Sequence, residues 1–187
     1  MLLRVIMTIF FGSFLLPGMC WAEEGFLREF QLPKRGVLQL AVPRSWKDQV
    51  RQPPQDLPPT ISLSPSRGNG FQVLITPMWA IRAGVVMPER EEIRRSVTKY
   101  AEAAKSQAVE KNIPIQEIQN ESGGGYYFSA TDRSPKPDEF KYMTQGMLRV
   151  GELAVTFTIL YNDGAETVVP DALRMLKGAR HVYAKSP

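Results

Sequence analysis

Few residues of this chain have both a type and a spacing that could do chemistry. His181 is the only histidine. A serine hydrolase needs an imidazole beside its nucleophile, held by a third group, and the chain has no Gly-x-Ser-x-Gly turn. His181 follows the last helical pattern and reads as a helix-end charge partner or a solvated side chain. Asp132, Asp138 and Glu139 bracket a loop that also holds Arg133, Pro135, Lys136 and Pro137. A calcium loop supplies about six to eight oxygens at regular acidic spacing, which this loop lacks, so it reads as surface charge. Asp132 and Glu139 could still share acid–base work on a glycan. An envelope hydrolase using such carboxylates is therefore kept as an alternative. No residue pattern specifies a catalytic centre, a metal site or a cofactor.

The better candidates are for binding. A strand pair at 140–161 places Gln145, Thr156 and Thr158 on one face, among Met143 and Met147. Threonine often fills a solvated strand face. If a helix or loop partly covers that face, the same polar groups line a small groove. Tyr127 alternates with Tyr126 and Phe128, and it is expected on the outer side of its strand. Trp46 follows a strand and a rigid proline; it is expected in the core, and in a groove it could stack on a sugar or ligand. Gln145, Thr156, Thr158, Tyr127 and Trp46 are the candidate ligand groove.

The elements that position these residues come from hydrophobic periodicity. Apolar stretches within 26–42 flank Pro33-Lys34-Arg35-Gly36, a turn. Val37–Val42 reads as a strand ending at Pro43. Residues 47–59 read as a stiff polar loop, because Pro53-Pro54 and Pro58-Pro59 remove donors and restrict the chain. Thr60–Ser64 and Phe71–Thr76 read as strands around a Gly- and Asn-bearing loop, and 77–86 as irregular. A helix is predicted from Pro88 to about Lys111: Glu89, Glu91 and Glu92 suit the positive end of its dipole, and Ile93, Val97, Tyr100, Ala101, Ala104 and Ala108 form one stripe.

Beyond it, 115–120, 126–131, 140–149 and 152–161 read as strands. A Val150-Gly151 turn would set Leu148 opposite Leu153, Gly146 opposite Val155, Thr144 opposite Phe157 and Tyr142 opposite Ile159. Met147, Gln145 and Met143 would then oppose Ala154, Thr156 and Thr158. A last helix follows Asn162-Asp163-Gly164, with Val168, Ala172, Met175 and Leu176 inward. Fold class is α+β, an antiparallel β-sheet flanked by helices.

The amino terminus carries an address. Arg4 precedes an apolar run from Val5 to Leu16, then Pro17-Gly18 and Cys20-Trp21-Ala22. That order is a secretory signal peptide, and the run is shorter than the roughly 20 residues a membrane span needs. Cleavage near Ala22 is expected, leaving a single α+β domain at 23–187, periplasmic or secreted. Cys20 is the only cysteine, so the mature chain would carry no disulfide or thiolate. Lipidation at Cys20 is the other reading, although Met19 is bulky for the position before a lipidated cysteine. The net charge of +4 aids solubility and favours anionic envelope surfaces. No concentrated basic stripe of the kind that binds nucleic acid is present.

The strand leading into Pro43-Arg44-Ser45-Trp46, and the order of elements from Val37 to Val182, resemble the PsbP-like fold. That fold occurs in the extrinsic P subunit of photosystem II, in a Ran-binding nuclear import factor and in DcrB-type exported bacterial proteins. Gly125-Tyr126-Tyr127-Phe128 and Tyr142-Met143-Thr144-Gln145-Gly146 also resemble stretches of uncharacterised exported bacterial proteins. The resemblance implies an α/β/α sandwich and a role in binding and assembly. The expectation is an exported, non-enzymatic protein that binds a partner or a cell-envelope component, with a lipid-anchored accessory factor as a further alternative.

Overall fold

The computed structural model describes residues 25–55, 57–80 and 86–183. The signal sequence and Cys20 lie outside the described residues.

The protein is α+β, with two antiparallel sheets and two helices. The first hairpin pairs β1 (Gly25–Leu32) with β2 (Gly36–Pro43) around the Pro33-Lys34-Arg35 turn, where Lys34 and Gly36 take positive φ. β3 (Trp46–Arg51), β4 (Thr60–Pro65) and β5 (Phe71–Met78) continue as a meander. Helix α1 (Arg90–Ala104) follows, then the short β6 (Gln116–Ile118), β7 (Gly125–Thr131), β8 (Tyr142–Val150) and β9 (Leu153–Tyr161). Helix α2 (Val168–Lys177) leads into β10 (Arg180–Val182). Seven strands form one sheet in the order β3-β4-β5-β9-β8-β7-β6, and three form the other in the order β1-β2-β10.

This departs from one sheet with helices on both sides. The layer opposite α1 is mixed: α2 packs on β2 and β9, and the β1-β2-β10 sheet completes it. β10 accounts for the difference. Three residues after a helix carry too little periodicity to show as a strand, yet Arg180–Val182 pairs along β2. The polar segment after Trp46 is likewise a strand. Lys47 to Arg51 pairs with β4 as an edge strand, and a single apolar residue, Val50, hid its alternation. Pro53-Pro54 lies just beyond it, where no ladder donor is needed. α1 is shorter than its stripe, and Glu89 is the N-cap of a reciprocal capping box with Glu92.

The strand pair β8–β9 keeps the expected faces with a shifted register. Val150 opposes Leu153, Leu148 opposes Val155, Gly146 opposes Phe157 and Thr144 opposes Ile159. The turn is Gly151-Glu152, because Gly151 takes φ +57° and a glycine is favoured at the first central position of such a turn. A slip of two leaves every side chain on its own face; a slip of one would not.

Two cores result. One lies between the seven-stranded sheet, the three-stranded sheet and α2, and includes Leu38, Leu40, Ile61, Ile75, Phe157 and Leu176. The other lies under α1 and gathers Ile93, Val97, Ala101, Tyr126, Phe128, Met147 and Ala154.

Candidate functional site

Directly opposed residues of a ladder share a face, so the registers sort the seven-stranded sheet into two surfaces. On the core face, one row runs Ile61, Ile75, Phe157, Gly146, Tyr127 and the next Val73, Ile159, Thr144, Ser129. On the outer face, one row runs Gln49, Ser62, Leu74, Thr158, Gln145, Phe128 and its neighbour Thr76, Thr156, Met147, Tyr126.

α1 packs against β7 and β8, so it buries Tyr126, Phe128 and Met147 and stops there. Arg90 donates to the Tyr126 hydroxyl at 3.1 Å, and Arg94 stands 5.9 Å from its ring. At 3.6 residues per turn, Ser96 and Tyr100 therefore lie on the opposite flank, toward β9. Ser62, Gln72, Leu74, Thr76, Thr156, Thr158 and Gln145 are all half-buried beyond the helix. The result is a polar shelf with α1 along one side.

Its chemistry is one-sided. Thr60 and Thr76 hydroxyls lie 3.2 Å apart, the Thr156 hydroxyl donates to the Thr76 carbonyl at 3.3 Å, and the Gln72 amide donates to Ser62 at 3.1 Å. Lys47 and Arg51, both exposed, stand on the same face at its β3 edge. No aspartate or glutamate occupies an outer-face position of β3, β4, β5, β9 or β8. Hydroxyls and amides both donate and accept, so the shelf offers hydrogen bonds and positive charge without a carboxylate to repel an anion.

The expected five-residue groove divides. Gln145, Thr156 and Thr158 come together on the shelf. Trp46 is 5 % exposed on the core face, where its ring lies 4.8 Å from that of Phe71. Tyr127 is the least buried of its aromatic trio, but it too sits on the core face, over Gly146. A one-residue step in a strand crosses the sheet, so neither aromatic can share a ligand with Thr156. Ser62, Gln72, Thr76, Lys47 and Arg51 were missed as site residues. Alternation in Thr60-Ile61-Ser62-Leu63-Ser64 and Gln72-Val73-Leu74-Ile75-Thr76 was the available signal.

Asp132 and Glu139 line one open depression of about 470 Å3, with Arg133 and Lys136. Their oxygens serve the loop itself. Asp132 accepts from the Ser134 amide at 2.8 Å, and Glu139 accepts from the Lys136 amide at 3.1 Å. Asp138 takes φ +70° at the turn between them. His181 belongs to β10, and its Nε2 bonds the Arg35 carbonyl at 2.7 Å; a carbonyl only accepts, so Nε2 carries the proton.

Several carboxylates are held below their usual range. Hydrogen bonds from the Tyr142 hydroxyl and the Lys141 ammonium do this for Asp163, at a strand end. Burial pushes Glu110 up, but the amide and hydroxyl of Thr131 outweigh it. None of these groups lies on the shelf. Among the described residues, no cluster of three or more His, Cys, Asp or Glu could hold a metal ion, and no helix is long and apolar enough to cross a membrane.

No protein-family model matches the chain, and no curated protein matches it. A crystal structure of a protein from Bacteroides thetaiotaomicron VPI-5482 is similar to it, at 12 % identity and a TM-score of 0.45, over 89 % of this chain and 52 % of that one. The chain thus spans about half the length of that protein, and a likeness at this level assigns neither the PsbP-like family nor an activity.

Proposed function

We propose that this chain is an exported, non-catalytic binding protein whose outer shelf holds an anionic, polyhydroxylated component of the cell envelope, such as an acidic glycan strand. The observation that supports the reading is the composition of the shelf. Five strands contribute hydroxyls, amides and two edge cations to one surface, and none contributes a carboxylate. Sugar hydroxyls match groups that donate and accept, and Lys47 and Arg51 complement acidic substituents. Export rests on the signal sequence. The PsbP-like layout would be in keeping with a binding role.

The test is calorimetric titration of the mature protein with an oligomer of uronic acids, beside a neutral oligomer of equal length. The T76V/T156V/T158V variant should fold normally and lose about tenfold in affinity, which corresponds to about 1.4 kcal/mol. Equal affinity in variant and parent would refute the shelf as the site.

A second reading, an envelope hydrolase, draws on the depression shared by Asp132 and Glu139. It requires glycan cleavage that disappears in both D132N and E139Q. A general acid is usually desolvated so that it stays protonated, and Glu139 is exposed, so binding without cleavage is the favoured reading.

A further inference from the structure

The end of the seven-stranded sheet away from the shelf carries a second feature. The β2–β3 turn (Arg44, Ser45) and the β4–β5 loop (Ser66, Arg67) meet where the Ser66 amide donates to the Ser45 carbonyl at 2.8 Å. Between them opens a depression of about 440 Å3, lined by Arg44, Ser45, Trp46, Pro65, Ser66, Arg67 and Phe71. Trp46 and Phe71 form its apolar wall, Phe71 being the more exposed of the two. Its two charged residues are both arginines. The carboxylate of Asp48, farther along β3, is already committed to Arg28, which also donates to the Trp46 carbonyl at 2.7 Å.

One arginine is pre-set. The Arg44 guanidinium stands 4.0 Å over the ring of Phe26 on β1. Stacking occupies the face of a guanidinium and leaves its N–H edge free to take a carboxylate in a fork. An arginine held this way loses less freedom when a ligand arrives. Phe26 is 51 % exposed, an unusual place for a large apolar ring unless something rests on it.

We infer that this depression binds a single acidic sugar, its carboxylate on Arg44 and Arg67 and its ring against the Phe71–Trp46 wall. Charge complementarity selects the anion, and the aromatic wall selects a ring over a bare ion. The site is on the face opposite the shelf and does not depend on it: a monosaccharide is too small to need the shelf, and the shelf requires a polymer.

The experiment is a titration of the mature protein with glucuronate, followed by the indole resonance of Trp46 and the threonine methyls, with glucose and inorganic phosphate as parallel probes. Glucuronate should shift Trp46 with a millimolar dissociation constant and leave Thr156 and Thr158 unmoved. R44Q/R67Q should weaken it by about tenfold, the scale of a charge-assisted pair, with an unchanged melting curve because both residues are exposed turn positions. F26L should weaken it less, with both charges intact. A silent Trp46 resonance would overturn the inference, as would equal binding of glucose, equal binding of phosphate or full affinity in R44Q/R67Q. None of those results bears on polymer binding at the threonines.

Discussion

The same strands make two surfaces with opposite fates, and threonine shows it most plainly. Thr144 lies on the core face at 0 % exposure, the one buried polar residue among the described ones, and its hydroxyl meets that of Ser129 at 2.8 Å. Thr156 and Thr158 lie on the other face, half-buried and open to solvent. A buried hydroxyl must find its partner within the fold. An outward hydroxyl can exchange water for a ligand. The core face therefore spends its polar groups on stability, and the outer face keeps them for recognition.

The largest effect expected from breaking this division comes from the core row. Phe157→Ala should cost about 3–5 kcal/mol, the usual range for emptying a buried aromatic site, read by urea denaturation. Gly146→Ala attacks the same row from the opposite direction. A methyl there would meet Phe157 and the Cβ of Tyr127 at 2.6 Å, and overpacking of that kind costs about 1–3 kcal/mol. Thr144→Val should cost about 1–2 kcal/mol, because it strands the Ser129 hydroxyl. Thr158→Val, two strands' width from any buried polar network, should stay within about 0.5 kcal/mol. If Thr144→Val and Thr158→Val were equally harmful, the two faces would not differ as argued.

Acid sharpens the comparison. Asp163 and Glu110 have depressed folded-state pKa values, against ordinary values of 3.8 and 4.5. A depressed carboxylate contributes stability above its unfolded pKa and loses it as pH falls through the folded value. Thermal midpoints should hold from pH 7 to about 5 and then decline below those ordinary values. Shelf affinity should instead follow the ligand's own acid groups, since the shelf has no carboxylate to titrate. A melting curve indifferent to pH down to 3 would contradict the first half of this prediction.

Much of this was legible in the sequence because alternation reports faces without reporting partners. Gln145, Thr156 and Thr158 were placed on one surface although the turn was set one residue too early, since a register slip of two preserves parity. α1 and α2 were legible from their stripes. Three things were not. β3 carries one apolar residue, so its pairing with β4 had no pattern to announce it. β10 is three residues long. Trp46 and Tyr127 were grouped with Gln145 on type alone, and which side of a sheet an isolated aromatic takes depends on a register that only the assembled strands define.

The central claim is that the outer face recognises an acidic glycan. Its most direct test is methyl and side-chain amide NMR of the mature protein titrated with a uronic-acid oligomer. Thr76, Thr156, Thr158 and the Gln145 amide should shift together and saturate, while Thr144 stays fixed. Saturation of the ligand with those four resonances unmoved would contradict the account.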